Sequence, residues 1–408
     1  MQITIKKAPV KINATIKLPS SKSISNRALI MNALGNGTYT PENISICDDT
    51  NVMVKALNDP NNPITDIMAA GTAMRFLTAY YSVLPNSEKI ITGTERMKNR
   101  PISILVNALR YLGADIEYTD NEGYPPLKIR GKSLDKSDIE IQGNISSQYI
   151  SAILMIGPML PKGLNVKLTG NVISRPYIDL TINLMKEFGV DVRWSDVNYI
   201  SIKPTTYKSV PFFIESDWSA SSYWYQIAAL ADEAEIELPY LFNNSYQGDS
   251  KVADLFSLLG VSTSYDDKKI TLRKDKIQVS SLKCNFVNQP DLAQTFVVTC
   301  SLLNIPFFFT GLQSLKIKET DRIKALITEM KKLGYIIKQK NDSILYWNGE
   351  RCKANMQPID TYEDHRMAMA FAPASILIKD IKINNPHVVT KSYPQYWEDL
   401  KKVGFIIE

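Results

Sequence analysis

The sequence predicts a mixed α/β fold built from a repeated unit. Five segments carry apolar residues at helical spacing, end at a glycine and continue into a short β-like run, as in LVNALRYLGADI. The glycines recur at intervals of 70 to 76 residues, and between them lies a second kind of helix that opens with small and polar residues. A self-similar pattern at such a period is typical of repeat architectures. The chain is therefore expected to repeat one helix-strand-helix-strand unit.

The glycine at the end of each helix in this pattern has a backbone reason. Glycine is favoured just past the end of a helix because it adopts the left-handed conformation at little cost. The glycines are Gly113, Gly189, Gly260, Gly334 and Gly404. A sixth, worn copy, NVMVKALN near Asn51, ends without its glycine.

The second kind of helix has six copies, and their starts are polar. They open at SSKSISNRAL, AAGTAMRF, ISSQYISA, SDWSASSY, QPDLAQTF and EDHRMAMA. The starts contain Lys22, Ser23, Arg27, Gly71, Ser146, Ser147, Gln148, Asp291, His365 and Arg366. Small residues further along, such as Ala33 and Ala152, only let the helices pack closely. Helix N-termini offer free N–H groups and a positive dipole end, so several of them facing one cleft would bind an anion.

Bulk composition narrows the function classes. The 408 residues are enough for two or three domains, and the net charge of +5 is spread without a basic run, which argues against nucleic-acid binding. The four cysteines form no CxxC pair and the N-terminus lacks an apolar leader, so a cytosolic location is expected. The most apolar stretch, near residues 150–160, is too short to span a membrane. Two histidines without ligand spacing make a transition-metal site unexpected.

Two helix starts carry charge that has more than one interpretation. In LPSSKSISNRAL, Lys22, Ser23 and Arg27 suit a phosphate or carboxylate, but they equally fit a serine cap with two solvated cations. In IKETDRIKAL, Lys318 and Arg322 share a helix face beside Glu319. This second group suits proton transfer next to an anion site, or else only surface ion pairs.

The order and wording of these segments resemble one family along nearly the whole chain. The matching stretches are PSSKSISNRAL, AGTAMRFLTA, ERMKNRPI, ISSQYISAILM, SRPYIDLTINLMKEFGV, SDWSASSYW, QPDLAQ, KIKETDRIKAL, TYEDHRMAMAF and TKSYPQYWEDL. They resemble the 5-enolpyruvylshikimate-3-phosphate synthase family, whose members serve the shikimate pathway to chorismate and the aromatic amino acids. SKSxSNR, SSQY, KETDR and DHRMAM are the most diagnostic motifs.

The resemblance implies a two-domain inside-out α/β barrel of the enolpyruvyl transferase type, with six repeats divided three to a domain. Residues 1–19 and 216–408 would form one domain, completed by the N-terminal strand. Residues 20–215 would form the inserted domain, with its second repeat shortened near residues 57–69. The substrates of the family lie between the two domains.

The resemblance also implies two sets of ligands. Shikimate 3-phosphate would be bound by Lys22, Ser23, Arg27, Ser146, Ser147, Gln148, Ser174, Tyr177, Asp291 and Lys318. Phosphoenolpyruvate would be bound by Lys22, Gly71, Arg100, Gln148, Arg322, Arg366 and Lys391. Arginine suits this second substrate because its planar fork binds carboxylate and phosphate bidentately.

The implied reaction is an addition followed by an elimination, with no cofactor and no metal. Asp291 would deprotonate the acceptor hydroxyl, Lys22 and Glu319 are the candidate acids, and His365 would support Glu319. The residues leave open which carboxylate protonates the substrate carbon, because that depends on burial. The partners would be small molecules only, glyphosate would be an inhibitor, and the protein is expected to be a monomer in the cytoplasm.

Three departures from the family pattern bear on the phosphoenolpyruvate side. Ala69 stands where an asparagine is expected, and the segment from Leu57 to Ala69 is about twenty residues short, enough to remove most of a strand pair. Ser314 stands where an asparagine would contact shikimate 3-phosphate. Weak affinity for phosphoenolpyruvate is the expected consequence.

Two alternatives stay open at this stage. One is the UDP-N-acetylglucosamine enolpyruvyl transferase, which has the same architecture but carries a cysteine in a loop where this chain reads PNSEKIITGTERMKNRP. The other is a catalytically impaired homologue that only binds shikimate 3-phosphate. Retention of Lys22, Asp291, Glu319 and Arg322 argues against the second.

Overall fold

The computed structural model describes residues 1–35, 37, 39–144 and 146–408, and the chain forms two compact units. Unit 1 comprises Met1–Pro19 and Glu215–Glu408, and unit 2 comprises Ser20–Ile214. Each unit has a hydrophobic core of its own, with Trp224 and Phe296 buried in unit 1 and Phe76 and Ile153 buried in unit 2. None of the helices in the described part of the chain is long and apolar enough to cross a membrane.

Helices and strands alternate along the chain. The helices are α1 (Lys22–Leu34), α2 (Asp48–Asn58), α3 (Gly71–Ser82), α4 (Glu95–Lys98), α5 (Ser103–Leu112), α6 (Ser147–Ile156), α7 (Arg175–Glu187), α8 (Trp218–Leu230), α9 (Val252–Leu258), α10 (Ala293–Leu302), α11 (Arg322–Lys332), α12 (His365–Phe371) and α13 (Tyr396–Lys402). The strands are β1 (Gln2–Lys7), β2 (Lys11–Thr15), β3 (Ile64–Asp66), β4 (Glu88–Thr92), β5 (Asp115–Tyr118), β6 (Leu127–Arg130), β7 (Asp138–Gln142), β8 (Leu164–Thr169), β9 (Val192–Asp196), β10 (Tyr199–Ile202), β11 (Glu233–Pro239), β12 (Val261–Tyr265), β13 (Lys269–Lys274), β14 (Leu282–Asn285), β15 (Phe307–Thr310), β16 (Lys338–Lys340), β17 (Ile344–Trp347), β18 (Ile381–Asn384) and β19 (Ile406–Ile407).

Four sheets repeat one topology. In the repeat that runs from β14 to β17, β14 and β15 are parallel strands, and α10 lies between them in sequence. The β16–β17 hairpin follows α11. The sheet order β14-β15-β17-β16 recurs as β7-β8-β10-β9, β3-β4-β6-β5 and, with β2 as the first strand, β12-β13-β11-β2. The two helices of the predicted helix-strand-helix-strand unit are therefore confirmed. The predicted unit has two strands, whereas each of these sheets has four, because an additional first strand and a hairpin partner complete it.

The N-terminal strand of the chain completes the fifth sheet. Strand β1 lies between β18 and β19 and is antiparallel to both. A single parallel bridge between Ile359 and Ile383 takes the place of its fourth strand. The first residues therefore complete two sheets of unit 1, one through β1 and one through β2.

The worn sixth copy is visible in unit 2. Helices α1 and α2 are both present, but the described residues between 20 and 60 form no strand, and a parallel bridge joins Glu42 to Phe213. Asp59, which follows α2, has an ordinary φ of −121°. The five predicted glycines, in contrast, have φ values of 115°, 81°, 83°, 91° and 100°, which confirms the reason for glycine at those positions.

The shortened segment keeps its strand. We expected the stretch from Leu57 to Ala69 to have lost most of a strand pair, but β3 pairs in parallel with β4 and the sheet retains four strands. The buried Lys89 side chain of β4 donates hydrogen bonds to the backbone carbonyls of Pro60 and Asn62. An internal lysine thus fixes the short connection from α2 to β3.

The predicted mixed α/β fold is confirmed. The two families of helices both exist, and the polar starts of α10, α11 and α12 lie in unit 1, where they build one charged cluster.

Candidate active site

Arg322 is the centre of the cluster in unit 1. It is the first residue of α11, and its side chain is only 2% exposed. Its Nε and Nη2 donate to the two carboxylate oxygens of Asp364 at 2.6 and 3.3 Å, and its Nη1 donates to Asp291 at 2.9 Å. Nη2 also donates to Glu319 at 2.8 Å. One guanidinium therefore joins three carboxylates that come from three different segments.

Asp291 connects this arginine to two further cations. It lies in a 3-10 turn, Pro290–Leu292, that leads into α10. Arg366 donates to its Oδ2 at 3.0 Å, and the Lys318 ammonium lies 3.6 Å from its Oδ1. Burial alone would raise the pKa of Asp291, but the attraction of Arg366, Lys318 and Arg322 outweighs it and holds that pKa well below its usual range. Asp291 is consequently ionised at neutral pH.

Glu319 and Arg366 extend the cluster on either side. The Glu319 Oε1 lies 3.2 Å from the Lys391 ammonium. The Arg366 Nη1 lies 3.5 Å from the Tyr223 hydroxyl, and burial raises the pKa of Tyr223 to about 12. The sequence-predicted residues of this unit are thus brought together, and each cation among them faces a carboxylate.

Asp364 organises the start of α12. It is fully buried and caps the helix by accepting a hydrogen bond from the Arg366 backbone N–H at 2.9 Å. His365, also buried, has its Nδ1 3.7 Å from Asp364 Oδ1. This histidine therefore lies close to Asp364, and its support of Glu319 stays a prediction.

Unit 2 carries a second, smaller group around α1. The Lys22 ammonium, at the first residue of α1, lies 3.2 Å from Oδ2 of the buried Asp49 at the start of α2. Arg27 is buried, and its Nε and Nη2 donate to Thr181 at 2.7 Å and Ser151 at 3.0 Å. Burial lowers the pKa of Arg27 to about 10.

The starts of α3 and α6 meet in the same unit. The Gln148 side-chain amide donates to the Thr72 hydroxyl at 3.2 Å. A Cβ atom placed on Gly71 would lie 2.6 Å from Nη1 of Arg100 and 2.8 Å from Nη1 of Arg75. A side chain at this position would therefore displace the ends of two arginine side chains that approach the Gly71 backbone closely.

The remaining predicted ligands lie at helix starts. Ser146 caps α6 by accepting from the Gln148 backbone N–H at 3.3 Å, and Ser147 is the first residue of that helix. Ser174 precedes α7 in the left-handed conformation, with φ of 54°, and does not cap it. Through its backbone, Tyr177 accepts from Arg27 at 3.5 Å, and Ser23 accepts from the same side chain at 3.0 Å.

Several residues of these clusters were missed by the sequence analysis. They are Asp49, Thr72, Arg75, Tyr223 and Asp364. Asp364 had a detectable signal, since an aspartate just before a helix is a typical cap. Arg75 lies one turn after Gly71 in α3 and was overlooked. Asp49, Thr72 and Tyr223 contact residues that are distant in sequence, and no local pattern reports such contacts. Within the ranges the structure describes, no group of three or more His, Cys, Asp or Glu residues is arranged to hold a metal ion.

The fold is that of the enolpyruvyl transferases. An EPSP synthase structure from Acinetobacter baumannii superposes with a TM-score of 0.79 at 21% identity, covering 100% of this chain and 99% of that one. The enolpyruvyl transferase NikO from Streptomyces tendae gives a TM-score of 0.75 at 13% identity, covering 100% and 98%. At these identities the likeness establishes the fold alone.

Sequence comparison defines the family within that fold. The model of the EPSP synthase family (3-phosphoshikimate 1-carboxyvinyltransferase) matches residues 6–60 and 58–400. A 3-phosphoshikimate 1-carboxyvinyltransferase of Bacteroides fragilis is 62% identical over 402 residues, 98% of each chain, and that of Aliivibrio fischeri is 34% identical over 97% of each. The chain belongs to the EPSP synthase family.

Proposed function

We propose that this protein transfers the enolpyruvyl group of phosphoenolpyruvate to the 5-hydroxyl of shikimate 3-phosphate, releasing phosphate. The observation that carries the proposal is the 62% identity, over 98% of both chains, to a relative named for this reaction. The charged clusters support it, because arginine and lysine side chains lie at several helix starts within each unit.

Both clusters are assigned to the same pair of substrates. Shikimate 3-phosphate is assigned the hydroxyls and amide at the starts of α1, α6 and α7, together with Asp291 and Lys318. Phosphoenolpyruvate is assigned Gly71 and Arg100 in unit 2 and Arg322, Arg366 and Lys391 in unit 1. Lys22 and Gln148 serve both. Arg27 is assigned to shikimate 3-phosphate, although its buried guanidinium already binds Thr181 and Ser151.

The proton transfers of the reaction are assigned mainly to carboxylates of unit 1. O5 of shikimate 3-phosphate bonds to C2 of phosphoenolpyruvate, its proton passes to Asp291, and C3 gains a proton from Glu319 or Lys22. The tetrahedral adduct then loses phosphate from C2, which takes up the proton held by Asp291, and C3 returns its proton to the same acid, which restores the double bond. The acceptor gains an enolpyruvyl ether, and no electrons are exchanged with any other molecule.

Substrate binding is expected to activate Asp291. In the ion-paired cluster its pKa is held well below the usual range, which makes it a weak base. An anionic phosphoenolpyruvate that binds Arg322 and Arg366 compensates their charge and weakens their attraction for Asp291. The pKa of Asp291 then rises, so the base becomes effective only when the second substrate is present.

The acceptor can be tested directly. The protein is incubated with phosphoenolpyruvate and either shikimate 3-phosphate or UDP-N-acetylglucosamine, and the products are identified by mass spectrometry. We expect an enolpyruvyl adduct of shikimate 3-phosphate only. An adduct of the nucleotide sugar would favour the sister enzyme of cell-wall synthesis, and no adduct of either would favour a homologue that only binds.

The domain organisation and setting belong to the same proposal. We assign three repeats to each domain, with residues 1–19 and 216–408 in one and 20–215 in the other. We place the protein in the cytoplasm, consistent with four unpaired cysteines, and as a monomer. We also propose that the reaction needs neither a metal ion nor a cofactor.

A further inference from the structure

A strained turn lies directly before the active-site residues Asp364 and Arg366. Tyr362 and Glu363 have φ values of 53° and 55°, so two successive residues with side chains occupy the left-handed region. This region is rare for residues other than glycine and persists only where the surrounding contacts enforce it. We refer to residues 360–363 as the 360–363 turn.

Glu329 of α11 supplies those contacts. Its side chain is fully buried, and both of its carboxylate oxygens bind the 360–363 turn. Oε1 accepts from the Tyr362 hydroxyl at 2.6 Å, and Oε2 accepts from the Asp360 backbone N–H at 3.0 Å. Lys332 balances the charge, with its ammonium 2.7 Å from Glu329 Oε2 and 2.8 Å from Asp360 Oδ2.

The same helix also binds the residue that follows the turn. Arg322 and Glu329 are seven residues apart, two helical turns, and therefore share one face of α11. Arg322 binds Asp364, and Glu329 binds Tyr362. Helix α11 thus holds the chain at both ends of the left-handed pair and fixes the path by which it enters α12.

We infer that Glu329 is a positioning residue for phosphoenolpyruvate, acting through the Tyr362 hydroxyl to hold Asp364 and Arg366 in their binding geometry. This inference rests on the proposed function for the identity of the ligand. Glu329 reaches the cations assigned to that substrate through the 360–363 turn and Asp364. Displacement of a binding group by about 1 Å is enough to cost a large factor in rate, which gives the turn its functional weight.

The test compares two tyrosine variants of the full chain. Tyr362→Phe removes the hydroxyl that binds Glu329 and keeps the aromatic ring. Tyr225→Phe is the matched control, because it removes another buried tyrosine hydroxyl of unit 1, which lies 2.8 Å from Thr263. Steady-state KM and kcat are measured for each substrate, well below the melting temperature of each variant.

We expect Tyr362→Phe to raise the KM for phosphoenolpyruvate about tenfold, the low end for a hydrogen bond to a charged group. The KM for shikimate 3-phosphate should change less than twofold, and Tyr225→Phe should change neither. Glu329→Gln, which keeps the shape and loses the charge, should shift the same KM in the same direction. Equal KM values for phosphoenolpyruvate in Tyr362→Phe and Tyr225→Phe would reduce Glu329 to a structural residue and overturn the inference.

A second measurement does not depend on turnover. Hydrogen exchange of the Arg366 backbone amide, which Asp364 caps, should be faster in Tyr362→Phe than in the wild type and unchanged in Tyr225→Phe. Unchanged exchange in both variants would contradict the role of the turn. Failure of the proposed function shows itself differently, as an absence of product in the wild type whatever the exchange rates are.

Discussion

At the scale of single residues, the structure shows that the predicted cations are paired with acidic side chains. Asp291 was predicted, and the structure shows it paired with Arg322, Arg366 and Lys318. In the proposed mechanism this residue both accepts a proton and limits how tightly its neighbours bind an anion. Its removal should therefore separate these two effects.

We predict that Asp291→Asn lowers kcat by about 10² to 10⁴, the usual loss for a general base. The KM for phosphoenolpyruvate should not rise, because Arg322 and Arg366 lose a competing carboxylate. Steady-state kinetics with both substrates checks this, with the exposed Asp342→Asn of the same unit as control. A variant with near-normal kcat would remove Asp291 from the mechanism.

Glu215, at the start of the second segment of unit 1, should make stability depend on pH. Burial raises its pKa from 4.5 to about 7, although hydrogen bonds from Gln247 and Ser245 oppose the shift. Between these values the folded chain holds a proton that the unfolded chain has lost. Stability from this group is therefore fully present below about pH 4.5 and is lost as the pH rises through about 7.

We predict that Glu215→Gln melts a few degrees higher than the wild type at pH 8 and at the same temperature near pH 4.5. The Gln oxygen can keep both hydrogen bonds, since Ser245 and Gln247 donate to the same Glu215 oxygen at 2.5 and 2.9 Å. Thermal unfolding across this pH range provides the check, with the exposed Glu398→Gln as control. A difference in melting temperature that is constant with pH would contradict the assignment.

The sequence was informative about site residues that a local pattern can signal, and uninformative about their partners. Lys22, Arg322 and Arg366 lie at helix starts, where free N–H groups and polar residues are visible in the sequence. Asp49 and Glu329 were missed because each binds a residue that is distant in sequence. Asp49 binds Lys22, 27 residues away, and Glu329 binds Tyr362, 33 residues away. Such pairings arise only when elements that are distant in sequence pack together.

At the scale of elements, the helices were predictable and many strands were not. The helices that end at a glycine were recognised because the left-handed backbone conformation at the helix end favours glycine, as at Gly113 and Gly404. Strands such as β14 and β16 are three or four residues long and carry no alternation strong enough to distinguish them from loops. The survival of β3 was likewise hidden, because the lysine that fixes it lies on the neighbouring strand.

We predict that Lys89→Met destabilises the protein by about 1 to 3 kcal/mol, the cost of removing a charged donor from groups that depend on it. The carbonyls of Pro60 and Asn62 lose their donor, and the short connection to β3 loosens. Urea unfolding measures the change. Lys128→Met on the adjacent strand β6, whose ion pair with Glu88 is more exposed, should cost less than 1 kcal/mol. Equal effects of the two variants would show that Lys89 has no special role.

At the scale of the whole molecule, the chain is organised as two cores with separate residues. The core of unit 2 runs from Ile24 to Ile214 without a residue from elsewhere, and that of unit 1 uses the N-terminal strands together with residues after Trp218. Only the resemblance to a known family predicted this organisation. Periodicity alone shows that the sequence contains repeats and does not show which repeats belong to which domain.

We predict that the fragment of residues 20–214 folds on its own. Its core is continuous in sequence and its two sheets draw all their strands from within it. The fragment should show a cooperative thermal transition by circular dichroism and keep Arg27 buried. A fragment that unfolds without cooperativity would mean that unit 2 depends on unit 1 for its stability.

The central claim, that the protein is an enolpyruvyl transferase acting on shikimate 3-phosphate, is tested most directly by a coupled assay of phosphate release. Release should require both shikimate 3-phosphate and phosphoenolpyruvate, saturate with each, and persist in excess EDTA, because the substrate-binding groups assigned are side-chain cations. Phosphate release from phosphoenolpyruvate without shikimate 3-phosphate, or no release with both substrates present, would contradict the account.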